Sequence, residues 1–211
     1  MCGGSVLDKQ YIDSLGDLAK DLKIALHIDG ARIFNACVAL GISPATLCKS
    51  ADTVSICLSK GLGAPMGSVL VGSKETIRLA RRARKRLGGG TRQVGVVASQ
   101  GMYAVENNID RLAEDHYRAK TIAKALYENG FYQPQKGDVQ TNIVYFGLPI
   151  NCTLTTNEFA DRLKRDYKVL IGSGYSKGGN LFRICTHLDV NNEDVEIAIN
   201  AIVKLASNYK R

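Results

Sequence analysis

Thr53-Val54-Ser55-Ile56-Cys57-Leu58-Ser59-Lys60-Gly61-Leu62-Gly63-Ala64-Pro65 is a β-branched, apolar run that breaks on a lysine and then on glycines and a proline. Residues 53–57 read as a buried strand, and Gly61, Gly63, Pro65 and Gly67 break regular structure after it. Residues 68–71 resume as another strand. Upstream, residues 24–28 read as a short buried strand ending at Asp29-Gly30, and a helix is expected from about residue 32 to residue 40, closed by Gly41. A strand–helix–strand order of this length predicts an α/β fold whose sheet is mostly parallel and covered by helices.

Working outward, Asp8 can cap a helix whose apolar face is Ile12, Leu15, Leu18, Ala19 and Leu22. Past the glycine-broken loop the chain turns helical, over residues 74–87, 91–106 and 110–129, with Gly88-Gly89-Gly90 as an interruption. The last third alternates again: strands at 141–146 and 181–185, each followed by a capped helix. Thr155 with Glu158 fits a capping box, and Asn192 opens a helix carrying Val195, Ile199, Ile202 and Leu205. Two domains are therefore expected, residues 1–119 and a small α+β domain of residues 120–211.

Composition is that of a globular α/β chain, at 45% hydrophobic and 23% charged residues. No apolar run approaches a membrane span, so no membrane partner is expected. The cysteines (Cys2, Cys37, Cys48, Cys57, Cys152 and Cys185) form no CxxC pair and read as reduced core thiols of a cytoplasmic chain. No metal site is expected. The net charge of +8 is local: eight basic residues and one acid, Glu75, lie between Lys74 and Arg92, so the rest of the chain is close to neutral. No aromatic residues interleave these arginines, and nucleic acid is not expected as a partner.

Two segments carry chemistry. Asp29 ends one strand and Lys60 follows another, and in open α/β sheets that edge is where ligands bind. Taken alone each is ordinary: an Asp-Gly after a strand is usually a turn, and a lysine among glycines is a solvated loop residue, although the GxxxxGK[ST] phosphate loop is absent. Together they are one crossover apart, which brings both to the same edge. A lysine that can condense with an aldehyde and a carboxylate that can keep a pyridine nitrogen protonated are what pyridoxal 5'-phosphate requires. Arg32 is placed to orient that carboxylate. His27 shares a strand face with Asp29 and is expected to be a buried hydrogen-bonding partner; His116 is expected to be exposed, and His187 structural.

The stretches HIDGARIFNA (27–36), ADTVSICLSKGLGAPMGSVLVG (51–72) and ARKRLGGGTRQVG (83–95) resemble the low-specificity threonine aldolases, within the β-eliminating lyase group of fold type I pyridoxal-phosphate enzymes. The resemblance implies that Lys60 forms the Schiff base, Asp29 pairs with the pyridinium, and Arg32 lies near the ring. It further implies that Arg183 holds the substrate carboxylate, and that Arg92, on its glycine-rich arm, reaches the cofactor phosphate from across a subunit interface in a homo-oligomer (dimer or tetramer). Ser59 is a second phosphate candidate. The implied reaction is cleavage of threonine or allo-threonine to glycine and acetaldehyde.

In one respect the sequence departs from that family. The phosphate loop, the ring-stacking histidine and several strands that precede Gly3 in the family have no counterpart, so residues 1–119 are expected to be an incomplete, PLP-dependent-transferase-like large domain. An N-terminally shortened chain would expose apolar strand edges and hold cofactor weakly. Two alternatives stand beside the aldolase reading: an inactive partner of full-length subunits, and another β-eliminating lyase on the same cofactor.

Overall fold

The central strand of the first sheet is β2 (Thr53–Cys57). The computed structural model of the protein describes residues 3–175 and 178–211, so Cys2 lies outside the described residues. β1 (His27–Asp29) runs parallel to β2, with His27 opposite Thr53 and Asp29 opposite Ser55. β3 (Ser68–Gly72) pairs antiparallel on the other side, with Cys57 opposite Ser68. The sheet is thus mixed, in the order β1-β2-β3. Parallel strands need a crossover of about a dozen residues or more, commonly a helix, and the helix-free link over residues 58–67 turns back instead.

One face of this sheet is covered by α1 (Lys9–Asp21), α2 (Ile33–Leu40) and α3 (Pro44–Leu47), where Ile12, Ile33, Cys37 and Leu47 are buried against Ile28 and Ile56. Asp8 caps α1 by accepting from the Tyr11 N–H at 2.7 Å. The buried stripe of α1 is Ile12, Gly16 and Ala19, while Leu18 and Leu22, expected on the apolar face, are 52% and 59% exposed. The close approach at Gly16 explains the rotation: a Cβ there would stand 2.5 Å from the Ser50 Cβ. The Ser50 hydroxyl donates to Asp13 at 2.7 Å on the same side. α4 (Lys74–Arg86) buries no residue, and α5 (Gly95–Asn107) contributes Ala104 to a second cluster with Leu62, Ala64 and Leu112.

Contacts divide the chain into two units, Leu7–Leu112 and residues 3–6 with Ala113–Arg211. The division expected between residues 119 and 120 would cut α6 (Leu112–Glu128). That helix buries Ala119, Ile122, Ala123 and Leu126 in a single core, so its residues on both sides of 119 stay together. Residues 3–6 join the same unit through backbone: the Gln135 amide donates to Gly3 O at 2.6 Å and the Thr141 hydroxyl to Gly4 O at 2.7 Å.

In the second unit β4 (Ile143–Phe146) and β5 (Phe182–Cys185) pair antiparallel under α6, α7 (Thr156–Tyr167) and α8 (Asn192–Asn208). Phe146 stacks on Phe182 at 5.0 Å, and Phe131 and Phe159 close the cluster at 5.8 and 5.6 Å. The Thr155–Glu158 capping box forms as expected; α8 is capped one residue earlier, by Asn191 with Asp194.

His116 departs from expectation. It is 6% exposed, and burial lowers its pKa; the Asp115 charge opposes that shift and the Lys120 charge adds to it. A depressed folded pKa means stability that is present above the unfolded histidine value and lost as the pH falls toward the folded one. Between about pH 7 and 5 the second unit should therefore lose more stability than a His116→Gln variant does, as read by urea titration. Equal pH slopes would show that His116 does not titrate with unfolding.

Candidate functional site

β1 and β2 are parallel, so their C-terminal ends share one edge, and Asp29 and Lys60 lie at the two chain exits there. Gly30 keeps the exit tight. Its N–H donates to Ser55 O at 2.8 Å, and a Cβ at this position would come within 2.9 Å of that oxygen and of Val54. The exposed Asp29 carboxylate accepts from the Ala31 N–H at 3.2 Å. Arg32, next in line, is the N-cap residue of α2, and its Nε is buried with no hydrogen-bond partner.

The loop after β2 is tied at both ends. Leu58 N–H donates to Gly67 O at 3.0 Å, Gly63 N–H to Lys60 O at 2.9 Å, and the Asn108 amide to Leu62 O at 2.7 Å. Leu62 and Ala64 are buried, which leaves Ser59 and Lys60 exposed on the rim. Ser59 Oγ stands 3.5 Å from Cys57 Sγ. Burial pushes the Cys57 thiol up, but hydrogen bonding by Ser59, the Lys60 charge and Ser68 outweigh it and hold the thiol below its ordinary value. His27 is exposed rather than buried, because β1 is an edge strand; its Nδ1 lies 2.8 Å from Thr53 Oγ1.

Asp29, Arg32, Ser59 and Lys60 thus arrive at one sheet edge. Arg92 is exposed in the loop between α4 and α5. Arg183 belongs to the second unit, on β5 directly across from Tyr145. Its guanidinium carbon is 4.3 Å from the Tyr175 ring centroid, and it hydrogen-bonds the Tyr145 side chain. His187 Nδ1 accepts from the Asp189 N–H at 3.3 Å, a local turn contact. Ser68, Tyr145 and Tyr175 escaped sequence reasoning, and Cys57 was expected only as a core thiol, whereas it is half-buried beside Ser59. Tyr145 lay inside an expected strand and was readable as a cross-strand neighbour; Tyr175 sits in a loop with no periodicity to mark it. Among the described residues no group of His, Cys, Asp or Glu side chains is arranged to hold a metal ion.

Residues 1–148 match the family model described as beta-eliminating lyase. The chain belongs to the beta-eliminating lyase family. Members of this lyase family are pyridoxal-phosphate-dependent, of fold type I. Its curated relatives include "Probable low-specificity L-threonine aldolase 2" of Arabidopsis thaliana, 42% identical over 97% of this chain and 56% of the relative. The low specificity L-threonine aldolase of Escherichia coli O157:H7 is 40% identical over 91% of the chain and 54% of the relative. The chain therefore spans about half the length of these relatives. The solved threonine aldolase of Leishmania major superposes with a TM-score of 0.79 at 18% identity, covering 97% of this chain and 58% of that one, a likeness of fold.

The edge residues fit the cofactor of a beta-eliminating lyase. Arg32 Nε is a buried cationic donor that lacks an acceptor among the described residues, and a phosphorylated hydroxypyridine carries several. Lys60 and Asp29 supply an amine and a carboxylate on the same rim.

Proposed function

We propose that this chain carries the cofactor lysine and the substrate-binding arginine of a pyridoxal-phosphate-dependent lyase that cleaves threonine or allo-threonine to glycine and acetaldehyde. The observation that carries the reading is the arrival of Asp29 and Lys60 at one edge of the parallel pair β1–β2. Lys60 would hold the cofactor through its amine, Asp29 would keep a proton on the pyridine nitrogen, and Arg32 would donate to an oxygen on the ring. Ser59 and Arg92 would meet the phosphate, Arg92 from a neighbouring subunit of a homo-oligomer (dimer or tetramer). Bound pyridoxal phosphate supplies a sink for the electron pair released as the Cα–Cβ bond breaks.

Arg183 grips the α-carboxylate of the amino acid, since a guanidinium stays charged at any working pH and pairs with a carboxylate bidentately. This grip fixes Cα while the β-carbon departs. The rim position of Lys60 leaves its amine accessible to cofactor and substrate, and the glycines beside it let backbone come close. The reading also gives the substrate-carboxylate contact to the second unit, residues 3–6 with 113–211, and makes the cytoplasm the site of action. No helix among the described residues is long and apolar enough to cross a membrane.

Borohydride reduction in the presence of cofactor, followed by peptide mapping, tests the assignment. The pyridoxyl mass is expected on Lys60 alone. Labelling on Lys74 or Lys85 with Lys60 untouched would remove the central residue of the proposal.

A further inference from the structure

Arg183 is built into a cage of its own. Arginine is a long side chain with several rotatable bonds, and one that must be ordered when a ligand arrives binds that ligand less well than one already held. Two described side chains hold this one, and they brace each other. The Tyr175 ring lies against the guanidinium, with Cζ 4.3 Å from the centroid. Tyr145, directly opposite Arg183 on β4, accepts a hydrogen bond from it. The two tyrosine rings meet edge to face at 6.1 Å and 81°.

The backbone makes room for this arrangement. Arg183 N–H donates to Gly172 O at 2.9 Å, an isolated bridge that draws the Gly172 segment alongside β5. A Cβ on Gly172 would stand 2.9 Å from the Tyr175 ring and 2.9 Å from its hydroxyl, so glycine is what lets the ring lie there. A guanidinium presents five N–H donors in a planar fork, the geometry that a carboxylate accepts bidentately.

We propose that Tyr175 and Tyr145 are positioning residues that hold the Arg183 guanidinium ready for the substrate carboxylate, with Gly172 as the notch that admits the Tyr175 ring. The inference rests on the reading of Arg183 given above. The aromatic face, not the Tyr175 hydroxyl, is the part that acts on the guanidinium, so phenylalanine should replace Tyr175 and leucine should not.

The test uses the 211-residue chain labelled with nitrogen-15, following the Arg183 Nε–Hε resonance, assigned by its loss in Arg183→Lys, during titration with glycine. The parent and Tyr175→Phe are expected to bind glycine alike, with the Hε signal shifted upfield by the ring. Tyr175→Leu is expected to bind roughly threefold to thirtyfold more weakly and to lose that upfield shift. Gly172→Ala keeps both tyrosines and should reproduce the loss, which covers the case of a leucine variant that fails to fold. Parent-like glycine binding in Tyr175→Leu or in Gly172→Ala overturns the positioning role while leaving Arg183 as the carboxylate holder. An Arg183 resonance that does not respond to glycine in the parent overturns the Arg183 assignment, and the inference with it.

Discussion

Asp29→Asn is expected to keep the fold and the capture of cofactor at Lys60 while threonine cleavage falls on the order of a hundredfold or more, the scale on which loss of one preorganised electrostatic group acts. The fold survives because, among the described residues, the Asp29 side chain makes one local hydrogen bond, accepting from the Ala31 N–H at 3.2 Å, which an amide oxygen can accept equally well. The side chain is exposed on the rim, so no buried partner is orphaned by the change. What the amide cannot do is hold a positive charge on a pyridine nitrogen, and the electron sink weakens accordingly. Glycine release from threonine, divided by the amount of cofactor reductively trapped, isolates this effect from cofactor loss. A ratio within a few-fold of the parent would make Asp29 an ordinary turn residue.

Phe182→Ala should cost about 3–5 kcal/mol of the second unit's stability, as truncation of a buried phenylalanine typically does. Phe182 is fully buried, stacked on Phe146 at 5.0 Å and set against Phe159 at 5.6 Å, so the cavity has rigid aromatic walls. Alternation along β5 puts Arg183 on the opposite face, and the same strand that anchors the core presents the guanidinium. Urea unfolding followed by circular dichroism and tyrosine fluorescence suits this chain, which contains no tryptophan. A loss below about 1 kcal/mol would mean the core repacks around the missing ring, contrary to the close-packed interior described above.

The elements that sequence reading located well are those with a strong local signal. β2 was marked by its β-branched run, α2 by Gly41, whose φ of 66° suits glycine at a helix end, and α7 by its capping box. Signals that depend on distant neighbours were harder to read. The face of α1 turned on one contact between Gly16 and Ser50, 34 residues apart in sequence. The antiparallel course of β3 followed from the length of a loop rather than from β3 itself. His116 sits among polar residues in sequence, yet a helix crossing a core buries whatever face it presents. At the candidate site, Asp29 and Lys60 were legible because each follows a strand. Tyr175 was not, because it acts through a ring placed by an irregular segment.

α4 carries Lys74, Arg78, Arg81, Arg82, Arg84, Lys85 and Arg86, and among the described residues none of them forms an ion pair. Arg78 and Arg82, Arg81 and Lys85, and Arg82 and Arg86 are each four residues apart, so like charges crowd one another along the helix surface. Such spacing destabilises a helix by about 0.2–0.5 kcal/mol per pair in dilute electrolyte. Ionic strength then becomes a control on this one segment: at 0.01 M the field of each guanidinium reaches about 30 Å, and at 0.15 M about 8 Å. Multivalent anions such as sulfate or polyphosphate should gather along α4 first, and buffer composition will tune the order of this helix while leaving the uncharged cores indifferent.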